Sequence, residues 1–217
     1  MFLRLLFLIL LGLPIDVWLG TITRPNKKTK KILILGMKGA GKTTLWNKLR
    51  EINSIPRETS ISPIKSFPLK RIDGSEITIE STKDIGGDNV YVSDNYEELI
   101  QKDSFIYFLF DIRKIEQDKK AIKARMMKIW SHISKHNIEN VSMQLVATHF
   151  DEYVKVSGGT ECAARSEALR TLELKSLFDK LQKKKKIEMS DDFLMVGSLL
   201  DDKFVESIKD CIIESSE

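Results

Sequence analysis

The stretch that most constrains this chain is Lys31 to Trp46, KILILGMKGAGKTTLW. A short apolar run leads into glycines, and Lys-Thr-Thr follows at the start of a helix. From Gly36 to Thr43 the spacing satisfies G-x-x-x-x-G-K-[ST], the phosphate-binding loop. Ile32 to Leu35 reads as a buried strand that sets where the loop begins. Gly36, Gly39 and Gly41 permit unusual backbone angles and close approach to an anion. The loop N–H groups, with Lys38, Ala40 and Thr44 completing the wrap, then face a phosphate at the positive end of the next helix. Lys42 is expected to reach the β- and γ-phosphates, and the Thr43 hydroxyl to ligate Mg²⁺. The plain alternative is a glycine-rich turn between a strand and a helix. With strand, spacing and helix all present, a nucleoside triphosphate is the expected ligand.

Around this stretch the chain alternates strand and helix. Lys42 to Ile52 reads as a helix. Ile64 to Arg71 and Glu76 to Thr82 form a hairpin about Asp73-Gly74. Ser104 to Ile112 is a continuous apolar run of the kind a central parallel strand shows. Ile115 to Lys135 has helical spacing, Val141 to Thr148 is a strand, and Thr171 to Lys183 looks helical. Phe193 to Val196 is a short strand and Asp201 to Ile213 a closing helix. Such alternation predicts an α/β fold, a mostly parallel sheet with one antiparallel edge strand and helices on both faces.

The chain has 217 residues and 42% apolar content, enough for one domain with a real core. Its net charge of +4 does not suit a nucleic-acid partner. Cys162 and Cys211 match neither metal-ligand spacing nor a disulfide framework and read as two reduced thiols. His132, His136 and His149 share no metal spacing.

The N-terminus, MFLRLLFLILLGLPIDVWLG, is apolar, with thirteen Leu, Ile, Phe or Val residues between Phe2 and Leu19. On an insertion scale these favour the bilayer by about 4–8 kcal/mol, against at most about 3 kcal/mol from Asp16. Pro14 interrupts the run, so a signal anchor, a cleaved signal peptide and an interfacial or buried helix all remain open; the lack of an A-x-A-like site argues against cleavage. Arg24, Lys27, Lys28, Lys30 and Lys31 follow with no acid among them, which predicts that the rest of the chain faces the cytoplasm. The expected organisation is an anchor at 1–20, a basic linker at 21–30, and a nucleotide-binding domain at 31–217. That domain would carry a surface insertion around 152–190, with Ser157-Gly158-Gly159 and the run Lys183 to Lys186.

Three later stretches bear on which triphosphate. Lys83 to Asp88, KDIGGD, contains D-x-x-G: Asp84 is suited to hold Mg²⁺ through water, and the Gly87 N–H to meet a γ-phosphate. In Val146 to Asp151, VATHFD, Asp151 is suited to accept from N1–H and the 2-amino group of guanine, which adenine lacks. In Val196 to Leu200, VGSLL, the backbone at Ser198 and Leu199 is suited to meet guanine O6.

With these residues in order, the chain resembles the small GTPases, most of all the branch of the ADP-ribosylation factors and the signal-recognition-particle-receptor beta subunit. The resemblance covers about Lys31 to Ile213 and rests on GAGKTT at Gly39 to Thr44, TSIS at Thr59 to Ser62, DIGG at Asp84 to Gly87, THFD at Thr148 to Asp151, and GSL at Gly197 to Leu199. It implies the six-stranded P-loop NTPase fold, GTP/GDP with Mg²⁺, two nucleotide-sensing loops, and a protein effector or activating partner. It implies further that Thr59 is the switch threonine on Mg²⁺, with Ser60 and Ser62 as alternatives, and that Thr148 and His149 contact the base. Two departures stand out: His149 where the family carries Lys, and Asp88 where a water-orienting Gln often sits. Lys42, Thr59, Gly87 and Asp88 are the candidate catalytic set, and slow hydrolysis is expected. A pseudo-GTPase scaffold that holds GTP stably and recruits a protein to the membrane is the alternative. An ATP-dependent phosphotransferase is a third reading, against which Asp151 argues.

Overall fold

The computed structural model describes residues 29–54, 60–71, 73–88, 95–174, 187–188 and 193–214. The apolar segment 1–20, most of the basic linker, Thr59 and the run Lys183 to Lys186 lie outside the described residues. Among the described residues no helix is long and apolar enough to cross a membrane.

Three strands make the centre: β1 (Thr29–Gly36), β6 (Ser104–Asp111) and β7 (Val141–Thr148). Each is almost unbroken in apolar residues, and their middles are buried on both faces, as parallel strands under helices require. They pair in parallel, Ile32 opposite Phe105 and Leu109 opposite Val146. On the other side of β1 lies β4 (Glu76–Ile79), parallel, and beyond it β3 (Phe67–Lys70), antiparallel. The Asp73-Gly74 turn joins these last two: Gly74 has φ +89° and Asp73 Oδ1 accepts from Ser75 N–H at 2.8 Å. At the far edge β8 (Ile187–Glu188) and β9 (Leu194–Val196) both run parallel to β7 at successive positions. Taken as one interrupted edge, they complete six strand positions among the described residues, with the expected antiparallel edge.

The hairpin is longer than expected. β2 (Ile61–Ile64) pairs with β5 (Thr82–Ile85), continuing it past a break at 65–66 and 80–81. At the break Glu80 N–H donates to Lys30 O at 3.0 Å. This explains the polar run Glu80-Ser81-Thr82-Lys83: it lies at the break and in a strand whose ladder partner is β2. Pro63 and Pro68 fall on the outer strands, where a missing N–H is tolerated.

Helix α1 (Lys42–Leu49) stops three residues earlier than its spacing suggests. Glu51 turns left-handed at φ +57°, and Ile52 N–H reaches back to Asn47 O at 2.8 Å, a Schellman ending. α2 (Ile115–Lys135) spans its expected range and presents Ile122, Met126, Ile129 and Ile133 to the core. Two helices occupy the first part of the expected surface insertion, α3 (Phe150–Ser157) and α4 (Glu161–Thr171), and the second packs one face into the core. Ala164, Ala168 and Leu172 are fully buried, and α4 packs on β9 and α2. α4 is capped by Thr160, whose hydroxyl accepts from Ala163 N–H, and most of the helix expected over Thr171 to Lys183 lies outside the described residues. α5 (Asp202–Glu214) packs against α1. Lys30, buried at the start of β1, donates to Ile212 O at 3.0 Å in the last turn of α5 and lies over the Phe105 ring. A cation there complements the negative helix end. Trp46 is wholly buried and Trp130 partly so, both in the core as expected.

Candidate nucleotide site

β1 delivers the chain to the phosphate loop against the backbone of β6. A Cβ on Gly36 would lie 2.0 Å from Leu109 O, so only glycine fits, and Met37 N–H bonds the same carbonyl at 2.9 Å. Gly39 and Gly41 have φ of +72° and +83°, the left-handed region that turns loop N–H groups inward. Gly41 then stands at the N-terminus of α1, where the first N–H groups lack helical partners. Lys42 is 7% exposed and crosses the loop, donating to Met37 O at 2.9 Å. Burial lowers its pKa to about 8, against the pull of the Asp84 carboxylate.

At the metal end, Thr43 Oγ1 donates to Asp84 Oδ2 at 2.6 Å. Asp84 is 2% exposed, and its Oδ1 is buried with no hydrogen-bond partner among the described residues. Burial raises its pKa, and the Thr43 hydrogen bond and Lys42 only partly offset this. An orphaned carboxylate oxygen beside a hydroxyl, both hard donors, fits Mg²⁺, which takes one or two carboxylates and otherwise phosphate and water. Of the two serines weighed beside Thr59, Ser60 O accepts from Gly86 N–H at 2.7 Å, and Ser62 sits opposite Asp84 on β2.

At the base-reading end, β7 closes on Thr148. Its hydroxyl lies 3.2 Å from Ala40 O and 3.1 Å from Phe110 O, so one proton ties the end of this strand to the phosphate loop and to β6. Thr148 Oγ1 also lies 2.9 Å from His149 Nδ1. His149 takes φ +62° as the residue before α3, half-buried, with burial lowering its pKa. Gly197 N–H bonds Ala147 O at 3.0 Å, which brings the loop after β9 alongside. Gly41, Thr44, Thr148, His149, Asp151, Ser198 and Leu199, all candidates from the sequence, line one cavity of about 140 Å³ together with Glu152 and Leu200.

Gly87 lies against the loop, where a Cβ would sit 2.3 Å from Lys38 N. Asp88 pairs with Lys38 Nζ at 3.2 Å, both about half exposed. Three residues escaped the sequence reading. Asp111, 2% exposed at the end of β6, lies 3.8 Å from His149 Nδ1 and is gripped by Arg113 through Nε and Nη2 at 2.9 and 2.7 Å. Burial would raise its pKa, but the Arg113 bonds and His149 outweigh that and hold it low. Arg125, buried on α2, bonds the carbonyls of Gly36 and Gly87. Its signal was available: it sits on the same helical stripe as Ile122 and Ile129.

The comparisons with known proteins agree with this geometry. The family model described as the ADP-ribosylation factor family matches residues 19–193. Comparison with curated proteins by sequence gives no match. Among solved structures, the Arl6 BBS3 small GTPase from Trypanosoma brucei with bound nucleotide analogue GppNp is 13% identical, with a TM-score of 0.61 over 87% of this chain and 97% of that one. Methanosarcina barkeri Roco2 RocCORdC bound to GDP is 20% identical, with a TM-score of 0.53 over 87% of this chain. The chain spans about half the length of that protein, 49%. At these identities the structures show the fold alone; the family match, over most of the chain, shows that it belongs to the ADP-ribosylation factor family of small GTPases.

Proposed function

We propose that the protein binds GTP and GDP with Mg²⁺ and works as a membrane-attached switch or docking module that hydrolyses GTP slowly. One observation carries the nucleotide assignment. Gly41, at the end of the phosphate loop, lines one cavity with Thr148, His149 and Asp151, and the Thr148 hydroxyl reaches Ala40 O of the same loop at 3.2 Å. A ligand with phosphates at Lys42 would therefore meet Asp151 with its base. Asp151 would accept from N1–H and the 2-amino group of guanine, and His149 would flank the ring. Thr43 and Asp84 would hold Mg²⁺, which supplies charge neutralisation at the β- and γ-phosphates. Lys42 would bind the same phosphates, while Gly87 N–H would meet the terminal one. Membrane attachment rests on the sequence of residues 1–20 and the basic cluster after it.

The test is the nucleotide that leaves the purified protein on denaturation. GDP or GTP in near one-to-one amount is expected; an adenine nucleotide, or none with no guanine nucleotide taken up on incubation, would overturn the assignment. The Lys38–Asp88 ion pair favours a second reading, a pseudo-GTPase scaffold, since the carboxylate would then stand beside a terminal phosphate. Single-turnover hydrolysis, with and without cell extract, separates the two: a scaffold leaves GTP intact in both.

A further inference from the structure

Arg125 sits on α2, far along the chain from either loop that faces the phosphates, and is 7% exposed. Burying a guanidinium is costly unless its N–H groups find acceptors. Nη1 donates to Gly36 O at 2.8 Å and Nη2 to Gly87 O at 2.6 Å. Gly36 opens the phosphate loop, and Gly87 is the glycine of D-x-x-G. Tyr96, 2% exposed, joins the cluster: its hydroxyl accepts from Gly36 N–H at 3.3 Å and is hydrogen-bonded with Arg125. One guanidinium thus grips the phosphate loop and two residues, 87 and 96, on either side of the intervening stretch.

Gly87 has no side chain to hold it, and glycine moves freely between backbone conformations. Its neighbour Gly86 is anchored through N–H to Ser60 O at 2.7 Å. Gly87 itself is anchored through its carbonyl by Arg125. Between these two anchors lies the Gly87 N–H. Release the carbonyl, and the peptide can rotate while every residue that meets the base and the inner phosphates stays in place.

We propose that Arg125 is a positioning residue for the terminal phosphate: by pinning the Gly87 carbonyl beside the phosphate loop it aims the Gly87 N–H at the γ-phosphate and so sets the preference for GTP over GDP. This rests on the guanine-nucleotide reading above. A merely structural Arg125 would support both nucleotides alike, because both use the phosphate loop. An Arg125 that aims Gly87 matters more to the nucleotide with a third phosphate.

The test measures affinities for GDP and for a non-hydrolysable GTP analogue, with Mg²⁺, in the full chain and in Arg125→Met and Arg125→Lys. Arg125→Met, which also gives up the bond to Gly36 O, is expected to weaken the analogue more than GDP, shifting the ratio of the two affinities by about tenfold, the worth of a charge-assisted hydrogen bond. Arg125→Lys, which keeps the charge but reaches one carbonyl, should fall between. An equal loss for both nucleotides, or an unchanged ratio, overturns the proposal. If neither variant folds, amide exchange in the wild-type chain decides. Replacing GDP by the analogue should protect residues 86–88 most, and equal exchange in the two states overturns the proposal. A wild-type chain that binds neither nucleotide would instead overturn the function proposed above.

Discussion

Thr43 Oγ1 and Asp84 Oδ2 lie 2.6 Å apart, while the other oxygen of the Asp84 carboxylate is buried without a hydrogen-bond partner among the described residues. A buried carboxylate with half its acceptors unmet destabilises the protein that carries it. The raised pKa says the same: an acid whose folded pKa exceeds its unfolded value adds stability below the unfolded pKa and loses it as pH rises through the folded one. At neutral pH Asp84 is therefore a cost that Mg²⁺ would offset. Asp84→Asn is expected to stabilise the nucleotide-free protein by about 1 kcal/mol, roughly 2–4 °C in melting temperature for a domain of this size. The same change should abolish the Mg²⁺ dependence of GTP binding. Thermal melts and titrations with and without Mg²⁺ check both; a destabilised variant that keeps its Mg²⁺ dependence would remove Asp84 from the metal site.

Lys42 titrates in the opposite sense. Its folded pKa of about 8 lies below the ordinary lysine value, so between the two the unfolded chain holds more protons, and this group adds stability as pH rises. Phosphate binding demands the ammonium. Above pH 8, binding must take up a proton, and affinity for GTP should fall by up to about tenfold per pH unit. Lys30 is also lowered to about 8 by burial, but it sits at the opposite end of β1. Lys30→Met should leave the affinity profile intact, whereas Lys42→Ala should abolish binding. A flat profile from pH 7 to 9.5 would mean Lys42 does not meet the phosphates.

The parts of the fold visible in the sequence are those where one local pattern decides the outcome. KILILG followed by spaced glycines leaves β1, the loop and α1 few alternatives, because Gly36 must clear the β6 backbone and the helix must start at Lys42. The Asp-Gly turn similarly locates β3 and β4. What stayed hidden depends on partners distant in sequence. Arg125 stands out in sequence only as a cation on the apolar stripe of α2, and its acceptors appear only when Gly36 and Gly87 arrive beside it. Asp111 looks like the polar end of a strand until Arg113 and His149 close on it. Helix α4 buries Ala164 and Ala168, whose small side chains give little apolar signal, so the segment reads as an insertion although it packs on β9.

Asp151 lines the cavity beside Thr148 and Ser198, on the first turn of α3. Asp151→Asn places an amide donor where the guanine 2-amino group needs an acceptor, and xanthine offers a carbonyl there instead. The variant should lose GTP affinity by about ten- to a hundredfold, the worth of a charge-assisted contact, and gain xanthosine triphosphate. Competition between the two nucleotides measures this directly. Unchanged preference for GTP would show that the loop from Thr148 does not read the base.

Asp88 stands one residue beyond Gly87 and pairs with Lys38 of the phosphate loop at 3.2 Å. The pair is half exposed, so it contributes less than about 1 kcal/mol to stability, and its consequence is chemical. A carboxylate near the terminal phosphate repels it and, when ionised, has no proton with which to orient an attacking water. Lys38, engaged by Asp88, is correspondingly less available to developing phosphate charge. One well-characterised small GTPase that carries a water-orienting Gln turns over unassisted at only about 3–5 × 10⁻⁴ per second. The wild-type chain should be no faster alone. Asp88→Gln removes the repulsion, frees the Lys38 ammonium and supplies an amide donor, so hydrolysis should quicken while GTP affinity stays within about threefold. Lys38→Ala in the Asp88→Gln background should take back part of the gain, since the ammonium would then be missing from the terminal phosphate. Single-turnover rates for the three variants decide the matter: an Asp88→Gln protein slower than wild type would make Asp88 a working catalytic group, its pairing with Lys38 a resting state of that machinery.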